Sequence, residues 1–138
     1  MFQSTSRTMT EFDLRRLEAL FERIRNQVAP PSTLSVLERE VAQAVVVKPE
    51  EVPATVVTMN SEVEVVDPQT QERRSLKLVF PTMVGVEAGR VSVLAPLGTA
   101  LLGSREGANV AWHTPRGPRQ LQVARVVYQP EADGRFDL

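Results

Sequence analysis

The sequence predicts an α+β protein in which a short N-terminal antiparallel helical hairpin, residues 1–48, precedes an antiparallel sheet around one short helix, residues 49–138. Three observations predict this. Apolar residues recur every three or four positions as far as Val47, the period of an amphipathic helix; from Thr55 they recur every second position, the period of a half-buried strand. Between the two regimes lies the proline-containing segment Lys48-Pro49-Glu50-Glu51-Val52-Pro53, where each proline disfavours helix at the residue before it.

Taken in order, residues 1–9 are polar and aperiodic, and are expected to fray. Thr10-Glu11-Phe12-Asp13 then supplies a threonine that can cap early helix amides and acidic groups at the positive end of the helix dipole. Leu14, Leu17, Phe21, Ile24 and Val28 form one helical stripe; Leu34, Leu37, Val41 and Ala44 form a second, with Ser35 and Glu38 at capping-box spacing. Two such stripes joined by Arg25–Ser35 are satisfied by folding on each other, with arms of about 25 Å or less at ~1.5 Å per residue. The narrow stripes and the change of composition after Val47 favour the pair as an appendage over the other reading, two helices of an ordinary core.

Val63 and Val65 alternate with Glu62 and Glu64, Asp67-Pro68 turns the chain, and Leu76, Leu78 and Phe80 repeat the alternation. Gly85 and Gly89 bracket a loop before a third strand at Val91 and Val93. Pro96 suits the first position of a short helix carrying Leu97, Leu101 and Leu102, with Gly103 as its stop. Val110, Trp112 and Thr114 start a hairpin that turns at Pro115-Arg116-Gly117 and returns through Leu121 and Val123. Val126 and Tyr128 sit on the other parity, which a β-bulge near Ala124-Arg125 would reconcile.

Composition narrows the function. Residues 1–48 carry seven Lys/Arg against six Asp/Glu and residues 49–138 nine against eleven, so neither half has the basic excess that phosphate binding needs. With no cysteine, disulfides, thiolate metal sites and a cysteine nucleophile are excluded. No apolar run approaches the ~18 residues of a membrane span and FQSTSRT has no apolar signal core, so a cytoplasmic protein is expected. A monomer without cofactor is the expectation.

Catalytic patterns are equally sparse. His113 lies in a strand beside Trp112 with no second His and no Cys, and reads as an edge-strand surface residue rather than a zinc ligand. Ser61, Ser92 and Ser104 lie in no nucleophile elbow, and the seven glycines form no phosphate-cradling loop. Glu50-Glu51 falls in the linker, and Glu62 and Glu64 read as the wet face of a strand.

The run VLAPLGTALLGSREGANVAWHTPRGPRQLQVARVVY, Val93 to Tyr128, resembles the C-terminal domain of the Gre transcript-cleavage factors and their relatives. The shared features are a Pro before a short ALLG helix, a Gly-containing turn, a TP-x-G hairpin and a valine-rich last strand. VVTMNSEVEV, Val56 to Val65, and YQPEADG, Tyr128 to Gly134, resemble the branch named as regulators of nucleoside diphosphate kinase. The resemblance implies an FKBP-like C-terminal domain behind a short antiparallel coiled coil. It also implies binding to bacterial RNA polymerase at the secondary-channel rim, partly through the loop before the ALLG helix, here Leu94, Ala95 and Pro96.

Gre factors hold a catalytic magnesium with acidic residues at a long coiled-coil tip, and here that feature is missing. A hard cation needs oxygen ligands including carboxylates. The tip Val28, Ala29, Pro30, Pro31, Ser32 and Thr33 offers none; Glu22 and Glu38 are the nearest acids, and Arg23 and Arg25 would repel the ion. The sequence therefore points to a non-catalytic competitor of Gre-type factors that does not stimulate transcript cleavage. Two alternatives stand beside it: an FKBP-like peptidyl-prolyl isomerase, disfavoured by an aromatic content of 5%, and direct binding to nucleoside diphosphate kinase.

Overall fold

The computed structural model describes residues 7–27, 33–85, 88–136 and 138. The chain begins with strand β1 (Thr8–Thr10), helix α1 (Glu11–Arg25), helix α2 (Thr33–Ala42) and strand β2 (Val45–Val47). β1 and β2 pair in parallel, Thr8 opposite Val45. Parallel pairing requires a long crossover, which the two helices provide. Thr10 caps α1, its Oγ1 accepting from the Asp13 amide at 3.0 Å. Residues 8–10 are buried rather than frayed, because Met9 enters the core and the strand pairing satisfies the backbone.

After a 3-10 turn at Pro49–Glu51 come β3 (Glu62–Val66), β4 (Arg73–Val79), β5 (Arg90–Ser92), α3 (Pro96–Leu101), β6 (Asn109–Thr114) and β7 (Gly117–Tyr128). They build a sheet of order β5-β4-β3-β7-β6. The β4–β3, β3–β7 and β7–β6 pairs are antiparallel as expected, but β5 runs parallel to β4, so the sheet is mixed. The chain from Phe80 to Gly89, containing a 3-10 turn at Pro81–Met83, carries it back for this pairing. The bulge expected near Ala124 is present: Glu64 pairs Arg125 while Val65 pairs Val123. A second irregularity skips Val127, since Glu62 faces Tyr128 and Val63 faces Val126.

The inward face of this sheet, Val63, Val65, Leu76, Leu78, Val110, Leu121 and Val123, packs in one hydrophobic cluster with Leu17, Leu20, Phe21 and Ile24 of α1 and Leu34, Leu37 and Val41 of α2. Leu17 and Leu37 are completely buried there. The helical pair is thus part of the body instead of a projecting appendage. Two three- or four-turn helices gain more by covering Leu78 of the sheet and Met59 of the segment before it than by packing only on each other. Leu20, off the expected stripe, widens the apolar face enough to do so.

Candidate functional site

The segment from Ser92 to Pro96 is a tightly tied link between β5 and α3. Ser92 Oγ accepts from the Leu94 amide at 3.0 Å, and the Ser92 carbonyl accepts from the Ala95 amide at 3.0 Å. Val93 is held from both sides, its amide donating to Val79 O at 2.9 Å and its carbonyl accepting from Thr99 Oγ1 at 2.8 Å. Ala95 is extended, and Pro96, whose ring fixes φ and which has no amide to lose, opens α3. Gly98 lets helix and loop approach: a Cβ there would lie 1.9 Å from the Ser92 carbonyl oxygen.

These constraints present Leu94 and Ala95 half-buried and Pro96 exposed. Leu94 lines a groove of about 270 Å³ with Leu20, Arg23, Ile24, Gln27, Pro81 and Thr82. Pro96 lines another, about 450 Å³, with Val36, Ala100, Trp112 and His113 among its walls. The loop is therefore a rigid, largely apolar ridge with a groove on either side, one floored by α1 and the other by α3 and β6.

Arg7 fixes the far end of α3. Its Nη1 donates to the carbonyls of Thr99, Ala100 and Leu102 at 2.8, 3.1 and 2.7 Å, and its Nε donates to Glu40 Oε2 at 3.0 Å. A cation on carbonyls that the helix leaves unpaired is stabilising, and the carboxylate from α2 holds it in place. Gly103, with φ +77°, ends α3 directly beneath it; a Cβ would meet Arg7 Cβ at 2.8 Å and Thr8 O at 3.1 Å.

The front of α1 carries a second polar anchor. Asp13, fully buried, accepts from Arg16 Nη2 at 2.6 Å and from the Met59 amide at 3.0 Å. Arg16 also donates to the Leu138 main-chain oxygen at 2.8 Å, and its guanidinium lies 4.2 Å from the Phe12 ring centre and 4.8 Å from that of Phe80. Burial pushes the Asp13 carboxyl above the usual range, opposed by the Met59 amide and by Arg16. Glu131, also buried, accepts from Thr58 Oγ1 at 2.7 Å; burial pushes it up as well, with the nearby Asp13 charge adding to the rise.

Of the residues singled out from the sequence, Leu94, Ala95 and Pro96 fall together on the ridge. Val28, Ala29, Pro30, Pro31 and Ser32 lie outside the described residues, and Thr33 opens α2. Glu38, the acid that follows them, is engaged by Arg25 in an ion pair. His113 is exposed on β6, an edge of the sheet. Trp112 lines the groove beside Pro96, but Tyr128 is not among that groove's walls. Among the described residues no group of three or more His, Cys, Asp or Glu is placed to hold a metal ion, and no helix is long and apolar enough to cross a membrane. Arg7, Asp13 as a buried group, Arg16 and Glu131 were not foreseen as an ensemble. The Thr10-to-Asp13 cap spacing and the Asp13-to-Arg16 helical spacing were the only local hints.

Comparison with known proteins agrees with this architecture. The family model described as transcription elongation factor, GreA/GreB, C-term, matches residues 52–128. The regulator of nucleoside diphosphate kinase of Escherichia coli strain K12 is 36% identical over 129 residues, covering 93% of each chain. Transcription elongation factor GreA of Azorhizobium caulinodans is 29% identical over 93 residues, 67% of this chain and 59% of that protein. Among solved structures, the prokaryotic transcription elongation factor GreA/GreB from Nitrosomonas europaea superposes with a TM-score of 0.75 at 36% identity, covering 91% of this chain and all of that one. The chain belongs to the GreA/GreB family, matching its C-terminal domain and sharing nearly its full length with a regulator of nucleoside diphosphate kinase.

Proposed function

We propose that this protein is a non-catalytic regulator that docks on bacterial RNA polymerase near the secondary-channel rim, competes there with Gre-type factors and does not stimulate transcript cleavage. The observation that carries the reading is the ridge at Leu94, Ala95 and Pro96, pinned by Ser92, Val93 and Thr99 within the region that matches the family. A partner that binds a pre-ordered loop loses little entropy on docking. In this reading residues 49–138 form an FKBP-like docking body in the cytoplasm. The helical pair of residues 1–48 is packed into that body, and the stretch joining its helices has no carboxylate in its sequence with which to deliver a metal ion.

The test is a pull-down of the full chain with purified polymerase core, repeated with excess Gre factor. The reading expects binding that the competitor displaces. Absence of binding, or binding indifferent to competitor, contradicts it. The name of the Escherichia coli relative supports a second reading, direct contact with nucleoside diphosphate kinase, which the same experiment tests with the kinase as bait.

A further inference from the structure

The turn that follows β7 is tied back onto the molecule by a buried cluster with more acid than base. Asp13 is 0% exposed and Glu131 9% exposed. Around Glu131 are Asp13 and Arg16 from α1 and the hydroxyl of Thr58 from the segment before β3, which Ser61 Oγ contacts in turn. Asp133 and Arg135, the other charged residues of its own turn, are exposed.

Among these groups the partners are unevenly shared. Asp13 receives the ion pair from Arg16 and a backbone amide from Met59. Glu131 has the Thr58 hydroxyl, itself shared with Ser61 at 2.9 Å, and its own backbone amide, but no ion pair among the described residues. Arg16 Nη2 is already divided between Asp13 and the Leu138 oxygen, and its faces are covered by Phe12 and Phe80. Two carboxylates against one committed guanidinium would leave an uncompensated charge away from water, which is unfavourable. Glu131, the carboxyl without an ion pair, can take the proton on one oxygen while the other still accepts from Thr58 Oγ1.

We propose that Glu131 is a proton-held latch: protonated, it fastens the C-terminal turn to Thr58 and the front of α1, and on ionisation it lets residues 130–135 swing outward. Gln129 is the hinge of this motion. Its Nε2 donates to the carbonyls of Pro53 and Val56, both at 2.8 Å, in bonds that do not involve Glu131. The amides of Asp133, Gly134 and Arg135, which bond to Gln129, Pro130 and Glu131 carbonyls within the turn, report its closure.

The sign follows from the direction of the shift. Because folding raises the Glu131 carboxyl above its ordinary value, the contribution to stability is complete at acid pH and is lost as pH rises from that ordinary value through the folded one.

The experiment is a carboxyl-carbon NMR titration of the full chain, with amide exchange of residues 133–135 corrected for intrinsic rates, in the natural sequence and in Glu131→Gln. The latch requires the Glu131 carbon to titrate above the ordinary glutamate range. Protection of the three amides falls through the same midpoint, by about tenfold for each pH unit of the elevation. Glu131→Gln, which keeps the shape without the charge, holds its protection constant across that range. Titration of Glu131 within or below the ordinary range overturns the proposal, as does an equal loss of protection in Glu131→Gln. Should the variant not fold, the titration of the natural sequence decides alone.

Discussion

Gly98→Ala places one methyl group against the ridge of Leu94, Ala95 and Pro96 that we propose for docking. The added carbon would stand 1.9 Å from the Ser92 carbonyl oxygen, 2.8 Å from the Ser92 carbonyl carbon and 3.1 Å from Val93 Cα. All three are backbone atoms, so no side chain can rotate away. Restoring van der Waals contact requires Ser92 and α3 to separate by about 1 Å or more. That movement strains the bond from Thr99 Oγ1 to Val93 O and the bond from the Ala95 amide to Ser92 O. Losing two such bonds costs about 2 kcal/mol and overpacking adds about 1 to 3 kcal/mol, while replacing glycine within a helix returns up to ~1 kcal/mol. The net loss is about 2 to 4 kcal/mol, which for a chain of this size lowers Tm by roughly 8 to 15 °C. Thermal unfolding followed by circular dichroism measures it, and polymerase affinity measured well below Tm should fall because the ridge has moved. A variant within ~2 °C of the natural Tm, with unchanged affinity, would refute the claim that close helix-loop contact shapes this ridge.

Two further outcomes follow from the same packing. Arg7→Ala leaves the carbonyls of Thr99, Ala100 and Leu102 without their cation and Glu40 without its partner, so urea unfolding should show a loss of about 2 to 3 kcal/mol, with Arg7→Lys recovering part of it. A loss under ~0.5 kcal/mol would mean that the α3 terminus does not depend on it. Residues 49–138 expressed alone should lack a cooperative transition, because Met59, Leu78 and Val63 lose the cover of Leu17, Leu20, Phe21 and Leu37. A sharp two-state melt of that fragment would instead support an independently folding body.

Where the sequence could be read, local chemistry was enough. The Thr10 cap, Pro96 at the first position of α3, Gly103 at its end and the bulge at Ala124 each follow from residues adjacent in the chain. The parallel placement of β5 did not, since Val91 has the same alternation whichever direction the strand runs. Packing of the helices into the core was the less favoured of two readings for a related reason: a stripe shows that a face is buried, not against what. The polar anchors join residues far apart in sequence. Arg7 reaches carbonyls more than ninety positions away, and Glu131 meets Thr58 across 73 positions, so no spacing rule could pair them. The ridge itself was found through the family resemblance of Val93 to Tyr128; what the structure adds is how Ser92, Gly98 and Thr99 make it rigid.

The most direct test of the central claim measures the affinity of purified polymerase core for the natural protein and for a variant carrying Leu94→Asp and Pro96→Glu. Leu94 is half-buried and Pro96 exposed at the start of α3, so circular dichroism and Tm should first establish that the variant is folded. Placing two carboxylates on an apolar ridge at the centre of an interface costs about 2 kcal/mol or more, so the Kd should rise at least about thirtyfold. A folded variant that binds polymerase as tightly as the natural protein would contradict docking through this ridge.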